Sequence, residues 1–244
     1  MVTFQNLDYT INPEKTVGEI VANNYNTAGV FRKFNLDFCC GGGISLKKAC
    51  SDNEVDLNEI LAELEKLQIH PSTGSENYLA WEAEYLINHI IDTHHRYVRI
   101  KTDEISAYAQ KVAAVHGERH PENIQILYKF NDLTQEMMVH LQAEEETVFP
   151  LITSVSQKRK RGEEITLQEI NKLKNQLELM VADHDGVGQL MNEIRDLSNR
   201  YNAPQDACAT YQILYKNLEG FEQDLHKHVH LENNILFRKA EELI

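Results

Sequence analysis

His140-Leu141-Gln142-Ala143-Glu144 and His228-Val229-His230-Leu231-Glu232 are two copies of one His-x-x-x-Glu step, each inside a long stretch of helical periodicity. Four residues bring both side chains of a pair to one helical face, about 6 Å apart along the axis and pointing the same way. The seam carrying the first pair runs Ile126, Phe130, Leu133, Met137, His140, Glu144, Val148, Leu151, and the second runs Tyr211, Leu214, Leu218, Phe221, Leu225, His228, Glu232, Ile235. In both, polar groups interrupt an apolar stripe of the kind that faces a core. An imidazole or carboxylate buried there without a partner costs on the order of several kcal/mol, and a shared cation compensates both most simply.

Working outward, helical periodicity extends over four segments, roughly 77–114, 121–156, 166–199 and 204–242. Pro121 and Pro204 suit first-turn positions, and Thr166 with Glu169 forms a capping-box pattern. Short connections imply that sequential helices pack antiparallel, as an up-down-up-down four-helix bundle. The third segment has the seam Ile170, Leu173, Leu177, Met180, His184, Val187, Met191, Ile194, again with one histidine among apolar residues. The first segment has two competing seams: Trp81, Tyr85, Asn88, Ile91, His95, Val98, Thr102, Ile105, and a neighbour through Ala83, Ile87, Ile90 and His94. Periodicity alone leaves His94 and His95 open. His226 and His230 are also four apart, but their stripe continues through Glu219, Gln223, Asn233 and Asn234, which reads as a solvated face.

In such a bundle the candidate histidines and glutamates fall within about 12 Å of one height, at 1.5 Å per residue. One site can collect one histidine from each helix with Glu144 and Glu232. Six N/O donors without a thiolate, two of them carboxylates able to bridge, exceed the needs of one tetrahedral zinc and suit a dinuclear iron or manganese site. A hydrogen-bonded core histidine explains one such residue at a time. Four in register with two glutamates need a common partner.

Upstream, residues 1–70 hold short helical pieces: a capping box at Thr16 and Glu19, and a run Leu57, Ile60, Leu61, Leu64, Leu67 opened by Asp56. Between them lies Leu36-Asp37-Phe38-Cys39-Cys40-Gly41-Gly42-Gly43, where adjacent cysteines could present two thiolates on a mobile loop. His70-Pro71-Ser72-Thr73-Gly74-Ser75 breaks all periodicity. The organisation expected is all-α: a small helical N-terminal domain over 1–70, a linker over 71–76, and the bundle over 77–244.

A net charge of −14 argues against nucleic acid or an anionic membrane as partner. No secretory leader is readable at the N-terminus, and no stretch approaches the roughly 18 apolar residues of a span. Four cysteines, two of them adjacent, make a poor disulfide framework, so a reducing cytoplasm is the expected compartment. Cys208 falls near the inward seam of the last segment and reads as a small core residue. His116 and His120 read as solvated, and Lys158-Arg159-Lys160-Arg161 as a basic loop.

The His140/Glu144 and His228/Glu232 motifs resemble the hemerythrin-like di-iron bundles. Two departures stand out: position 188, four after His184, is glycine, and the last motif is His-x-x-x-Glu where oxygen-carrying hemerythrin has His-x-x-x-x-Asp. Fewer terminal ligands favour reactivity or metal release over reversible oxygen carriage. Asp37-Phe38-Cys39-Cys40-Gly41-Gly42-Gly43 with Ser45, Leu46 and Ala49, the run Glu144 to Pro150, Ala182 to Asp185, and His228 to Phe237 resemble the Repair of Iron Centers family along nearly the whole chain. The resemblance selects His95 over His94, which becomes a supporting neighbour. It implies two iron ions bound by His95, His140, His184 and His228 and bridged by Glu144 and Glu232.

It further implies a stress-responsive role in restoring iron-sulfur clusters damaged by nitric oxide or oxidants. Labile iron would be supplied to damaged proteins or to the cluster assembly machinery, with Cys39 and Cys40 serving iron transfer or redox exchange. Binding or reduction of nitric oxide at the di-iron centre is a second implied chemistry. Two other readings remain: a hemerythrin-like oxygen or nitric oxide sensor or carrier, and a metal phosphohydrolase suggested by His184-Asp185, although Asp185 is rotated about 100° from His184 on a helix. Whether the chain pairs as a homodimer stays open.

Overall fold

The computed structural model describes residues 11–69 and 76–244, so the His70–Ser75 stretch read as linker and the first ten residues lie outside the described residues. Among the described residues the secondary structure is helical, as the periodicity requires, and the chain divides into two compact units at Trp81/Glu82.

In the N-terminal unit, α1 (Val17–Asn23), α2 (Ala28–Lys33), α3 (Leu46–Asp52) and α4 (Leu57–Ile69) enclose a core of Val17, Phe31, Phe38, Leu46, Ile60 and Leu64. The Thr16/Glu19 capping box starts α1 as read, Ser45 caps α3, and an antiparallel bridge pairs those two capping residues. Asp37 shapes the cysteine loop. Its carboxylate accepts the backbone N–H groups of Cys39 (2.8 Å), Cys40 (3.1 Å) and Gly41 (2.8 Å). The Gly42 carbonyl then accepts the N–H of Gly18 at 2.8 Å, docking the loop on the first turn of α1. None of the three loop glycines has a positive φ. Gly42 is required by space instead: a Cβ there would stand 2.4 Å from the Phe38 carbonyl oxygen and 3.1 Å from the Gly18 Cα. Tyr78 and Trp81 also belong to this unit, packed edge to face at 4.8 Å, whereas one of the two competing first-segment seams began at Trp81.

The second unit is the four-helix bundle. Its first rod is α5 (Ala83–His89), a π-helical turn (Ile90–His95) and α6 (Arg96–His116); its second is α7 (Glu122–Ala143), a π-turn (Glu144–Val148) and α8 (Phe149–Arg161). The third is α9 (Leu167–Leu197), and the fourth is α10 (Ala209–Leu231), a π-turn (Glu232–Leu236) and α11 (Phe237–Glu241). α6 packs on α7 and α10, α7 on α9, and α9 on α10, which closes the ring.

The π-turn of the first rod resolves the two seams. Before it, Ala83, Leu86, Ile87 and Ile90 are buried; after it, His95, Val98, Thr102 and Ile105 are. A π-turn inserts one residue into the helical register. The inward face therefore steps from the seam leading to His94 onto the seam holding His95, and both histidines end up buried. The second rod slips likewise: Val148 is buried, but Ile152 replaces Leu151 as the next core residue.

Several local readings change. Pro121 does sit at the start of α7, but Pro204 lies in the loop before α10, its carbonyl accepting the Ala207 N–H. Lys158 to Arg161 are the last turn of α8, where cations complement the helix C-terminus, and Lys158 pairs with Glu169, Lys160 with Glu82, and Arg161 with Glu163. The stripe read as solvated is so only at its start: Glu219 and Gln223 are exposed, His226, Asn233 and Asn234 are half-buried, and His230 is buried.

Gly42→Ala is expected to destabilise the N-terminal unit by about 1–3 kcal/mol, the usual penalty for overpacking. Differential scanning calorimetry of the full chain, with the Gly43→Ala chain as the unobstructed comparison, checks this: the Gly43 site has open space and should change little.

Candidate metal centre

All six residues expected to bind metal converge inside the bundle: His95, His140, Glu144, His184, His228 and Glu232 are each buried. They form two overlapping groups whose donor atoms lie within 4.8 Å of one another, His95/Glu144/His228/Glu232 and His140/Glu144/His184/Glu232. Both carboxylates belong to both groups. Glu232 stands 2.9 Å from His228 Nε2, 3.2 Å from His184 Nε2 and 3.8 Å from His95 Nε2. Glu144 stands 3.3 Å from His140 Nε2 and 3.4 Å from His95 Nε2. The Nε2 atoms of His140 and His184 face each other at 3.0 Å.

These residues fit a pair of cations by the state of their own atoms. Both Glu144 oxygens, Glu232 Oε2 and His95 Nε2 are buried without a hydrogen bond. Leaving two carboxylates in that condition is costly, and ligation satisfies them together. Each cation position would see two imidazoles and two shared carboxylates, with no thiolate. That is hard-to-borderline donor chemistry, suited to iron or manganese.

The outward ring nitrogens are held by groups that the seam analysis did not find. His95 Nδ1 lies 2.7 Å from Glu145 Oε1, which also takes Arg99 at 2.9 Å. His184 Nδ1 lies 2.9 Å from Asn233 Oδ1, and His140 Nδ1 is 3.5 Å from Asp183. Glu145, Asn233 and Asp183 each adjoin a ligand of a neighbouring helix. One residue along a helix turns about 100°, so the neighbour of an inward ligand points sideways to the next rod. His94, beside His95, hydrogen-bonds Asp224 at 2.9 Å and stacks on the His228 ring 5.6 Å away. Asp185 is exposed and takes no part in the cluster.

Without a cation the site holds protons. Burial disfavours the charged form of His95, but Glu144 and Glu232 outweigh it and push the imidazole up to about 10. His140 is treated in the same way, chiefly by Glu144, and rises to about 9. Burial keeps His228 below the ordinary histidine value. Burial alone would raise Glu232, yet His228, His184 and His95 hold it well below the carboxylate range.

In the N-terminal unit, Asp37, Cys39 and Cys40 form a third donor group. The expected pair of presented thiolates is not what the loop holds. Cys39 is buried, with its sulfur 3.9 Å from that of half-buried Cys40 and 3.3 Å from Asp37 Oδ1. Its hydrogen bond to Cys40, followed by burial, pushes the Cys39 thiol well above its usual range. Cys208 departs further: it is exposed at the N-cap of α10, not in the core.

An antiparallel bundle whose interior collects four histidines and two shared glutamates defines a dinuclear cation-binding helical protein. Comparison with known proteins is consistent: residues 86–240 match the hemerythrin HHE cation binding domain, and residues 13–68 match a domain of unknown function (DUF542). The chain is 35% identical to the iron-sulfur cluster repair protein ScdA of Staphylococcus haemolyticus, over 94% of this chain and 99% of that one. It is 30% identical to the iron-sulfur cluster repair protein YtfE of Dickeya chrysanthemi (93% and 96% covered) and 32% identical to YtfE of Yersinia pestis (86% and 89%). The chain belongs to this family of iron-sulfur cluster repair proteins.

Three outcomes follow from the geometry. Loading must displace the protons on His95 and His140, so uptake of ferrous iron at pH 7 should release protons and weaken as pH falls, as isothermal titration calorimetry in buffers of different ionisation enthalpy would register. Because both folded values lie above the unfolded histidine value, their contribution to the stability of the cation-free protein is full below about pH 6.5 and lost as pH rises through about 9 and 10. Thermal melts should show that loss without metal. Glu145→Gln should lower iron affinity about 10–100-fold through His95, measured by competition with a chromophoric chelator.

Proposed function

We propose that this chain holds two iron ions, each between two of the four histidines and shared by Glu144 and Glu232, and helps to rebuild iron-sulfur clusters damaged by nitrosative or oxidative stress. The observation that carries the reading is the six-donor cluster, buried and short of hydrogen bonds, in a chain similar over 94% of its length to a repair protein. When bound, the iron pair supplies redox-active Lewis-acid sites, and it is also the cargo that a damaged cluster needs.

The chain's own residues set how readily that cargo moves. His95, locked by Glu145 and Arg99, and His228, stacked under His94, are firmly oriented. Protons compete for the donors, since His95 and His140 reclaim them once the cation leaves. Release is thereby coupled to proton uptake, which keeps the two buried carboxylates compensated throughout. Cys39 and Cys40, with Asp37, are the groups of the N-terminal unit that suit transient iron ligation or thiol-disulfide exchange. Half-buried Cys40 is the reachable member, and Cys39 is the reserve held by Asp37.

The partners on this reading are damaged iron-sulfur proteins, or the machinery that assembles their clusters, in a cytoplasmic setting. Among the described residues no helix is long and apolar enough to cross a membrane. Nitric oxide binding or reduction at the same centre is a compatible second chemistry, because two histidines and two glutamates leave each iron with coordination positions to spare.

The test is reactivation of a hydro-lyase whose cluster has been damaged by nitric oxide. Iron-loaded protein should restore its activity; chain carrying Glu144→Ala and Glu232→Ala, and an equal amount of free ferrous iron, should not. Equal recovery with the double variant would overturn the reading. Replacement of both Cys39 and Cys40 by serine should slow recovery while iron content stays at two per chain.

A further inference from the structure

At the other end of the bundle, about 30 Å from His95 by the rise of α6, the loop after α6 meets the loop before α10. There His116 Nε2 stands 3.2 Å from Cys208 Sγ, and His120 Nε2 stands 3.1 and 3.2 Å from the two oxygens of Asp206. Neither pair was expected from the sequence, where both histidines read as solvated and Cys208 as core. From these pairs we infer that His116, His120, Asp206 and Cys208 form a second, mononuclear site for a zinc-class divalent cation, separate from the bundle centre.

The arrangement of protons carries the argument. His120 Nδ1 faces Glu122 Oε1 at 3.2 Å while Nε2 faces Asp206, so both ring nitrogens are turned to carboxylates. With one proton spent on Glu122, the Nε2 lone pair would point at carboxylate lone pairs unless a positive centre lies between them. The His116 and Cys208 pair likewise shares one hydrogen between two lone-pair atoms. One divalent ion replaces both protons at once: it takes the Cys208 thiol proton and the His120 Nε2 proton, releasing two H⁺. Two neutral imidazoles, a thiolate and a carboxylate then balance its charge.

The donors stand as two separate pairs, not as one closed cluster, so the exchange requires an ion to draw them together. Tetrahedral bonds of about 2.0–2.3 Å place donors about 3.3–3.6 Å apart, so each observed pair, at 3.1–3.2 Å, is slightly shorter than that and would open a little around an ion. His116 and His120 have the His-x-x-x-His spacing of zinc sites. Their rings are 6.5 Å apart between centres, so a shared ion draws the pairs together by side-chain rotation, which exposed Cys208 and Asp206 are free to make. The floor beneath is rigid. Both rings pack on buried Tyr211, at 5.3 and 5.7 Å, and the Tyr211 hydroxyl is fixed by Asn123 at 2.7 Å. Glu122, bonded to the same hydroxyl, orients His120 in the way carboxylates orient metal-binding histidines.

The test uses the full chain with its bundle centre already loaded with iron, titrated anaerobically with cobaltous ion. One further cobalt per chain should bind, with tetrahedral visible bands and a sulfur-to-cobalt charge-transfer band, and zinc should displace it. Cys208→Ser should abolish the charge-transfer band while iron stays at two per chain; Cys40→Ser should leave it in place. His116→Asn and His120→Asn should each weaken cobalt binding at least tenfold. In the unaltered chain, zinc should slow alkylation of Cys208 at least tenfold by peptide mapping. Equal cobalt uptake and spectra in the unaltered and Cys208→Ser chains, loss of the band on Cys40→Ser instead, or alkylation of Cys208 unaffected by zinc would overturn the inference.

Discussion

Two carboxylates sit where a helical bundle can least hold them, in its dry interior and shared between four imidazoles. Glu144 and Glu232 cannot remain charged there alone, and neutralising them would forfeit the ligands. Positive charge must therefore stay with them at every stage. Bound cations would supply it; without them, His95 and His140 retain protons far above the ordinary histidine range. The site is best described as a place where metal ions and protons exchange against a fixed pair of negative charges. The rods around it supply the framework for that exchange.

The framework has a local signature in the backbone. Three of the four rods contain a π-turn at the level of the cluster, ending at His95 or beginning at Glu144 and Glu232. The fourth, α9, contributes only His184 and runs as an unbroken α-helix of 31 residues. A regular helix at 3.6 residues per turn keeps one face inward only if the buried positions follow its phase. Both glutamates shared by the two donor groups begin such a turn, so the apolar seam resumes one residue out of step after each. The cost in regular hydrogen bonding is local, and π-turns concentrate at functional sites for this reason.

That slip also explains what could and could not be read from the chain. The seams through His140, His184 and His228 were legible because each lies on the regular α-helical side of its π-turn, or on a rod without one. His95 was ambiguous because it ends a turn that joins two phases, and a method that assumes one phase must offer two answers. The resemblance to a known family named His95, the histidine whose Nε2 lies 3.4 Å from Glu144 and 3.8 Å from Glu232, where periodicity offered two candidates. Glu145 and Asn233 were hidden for a different reason: they lie off the inward stripe and act across to the next rod, a relation that single-helix periodicity does not contain. Cys208 was misplaced because the last helix begins at Ala209, five residues beyond Pro204. A proline marks where a helix is allowed to start, not where it must.

The ligand count bears on what the centre can do. Each of the two donor groups offers two histidines and a share in two glutamates, and Gly188, four residues after His184, brings no side chain to the cluster. An iron ion accepts more ligands than these, so a metal held by these residues would keep room for water or an incoming diatomic molecule. A carrier evolved for reversible binding gains by filling such positions and limiting what can follow. Here the protonated imidazoles stand ready to take the place of a departing ion, and the carboxylates are shared, so losing one cation does not strand its ligands without positive charge. The same feature that makes the interior tolerable without metal therefore lowers the penalty for giving metal up, which is the property an iron donor needs and an oxygen carrier must avoid.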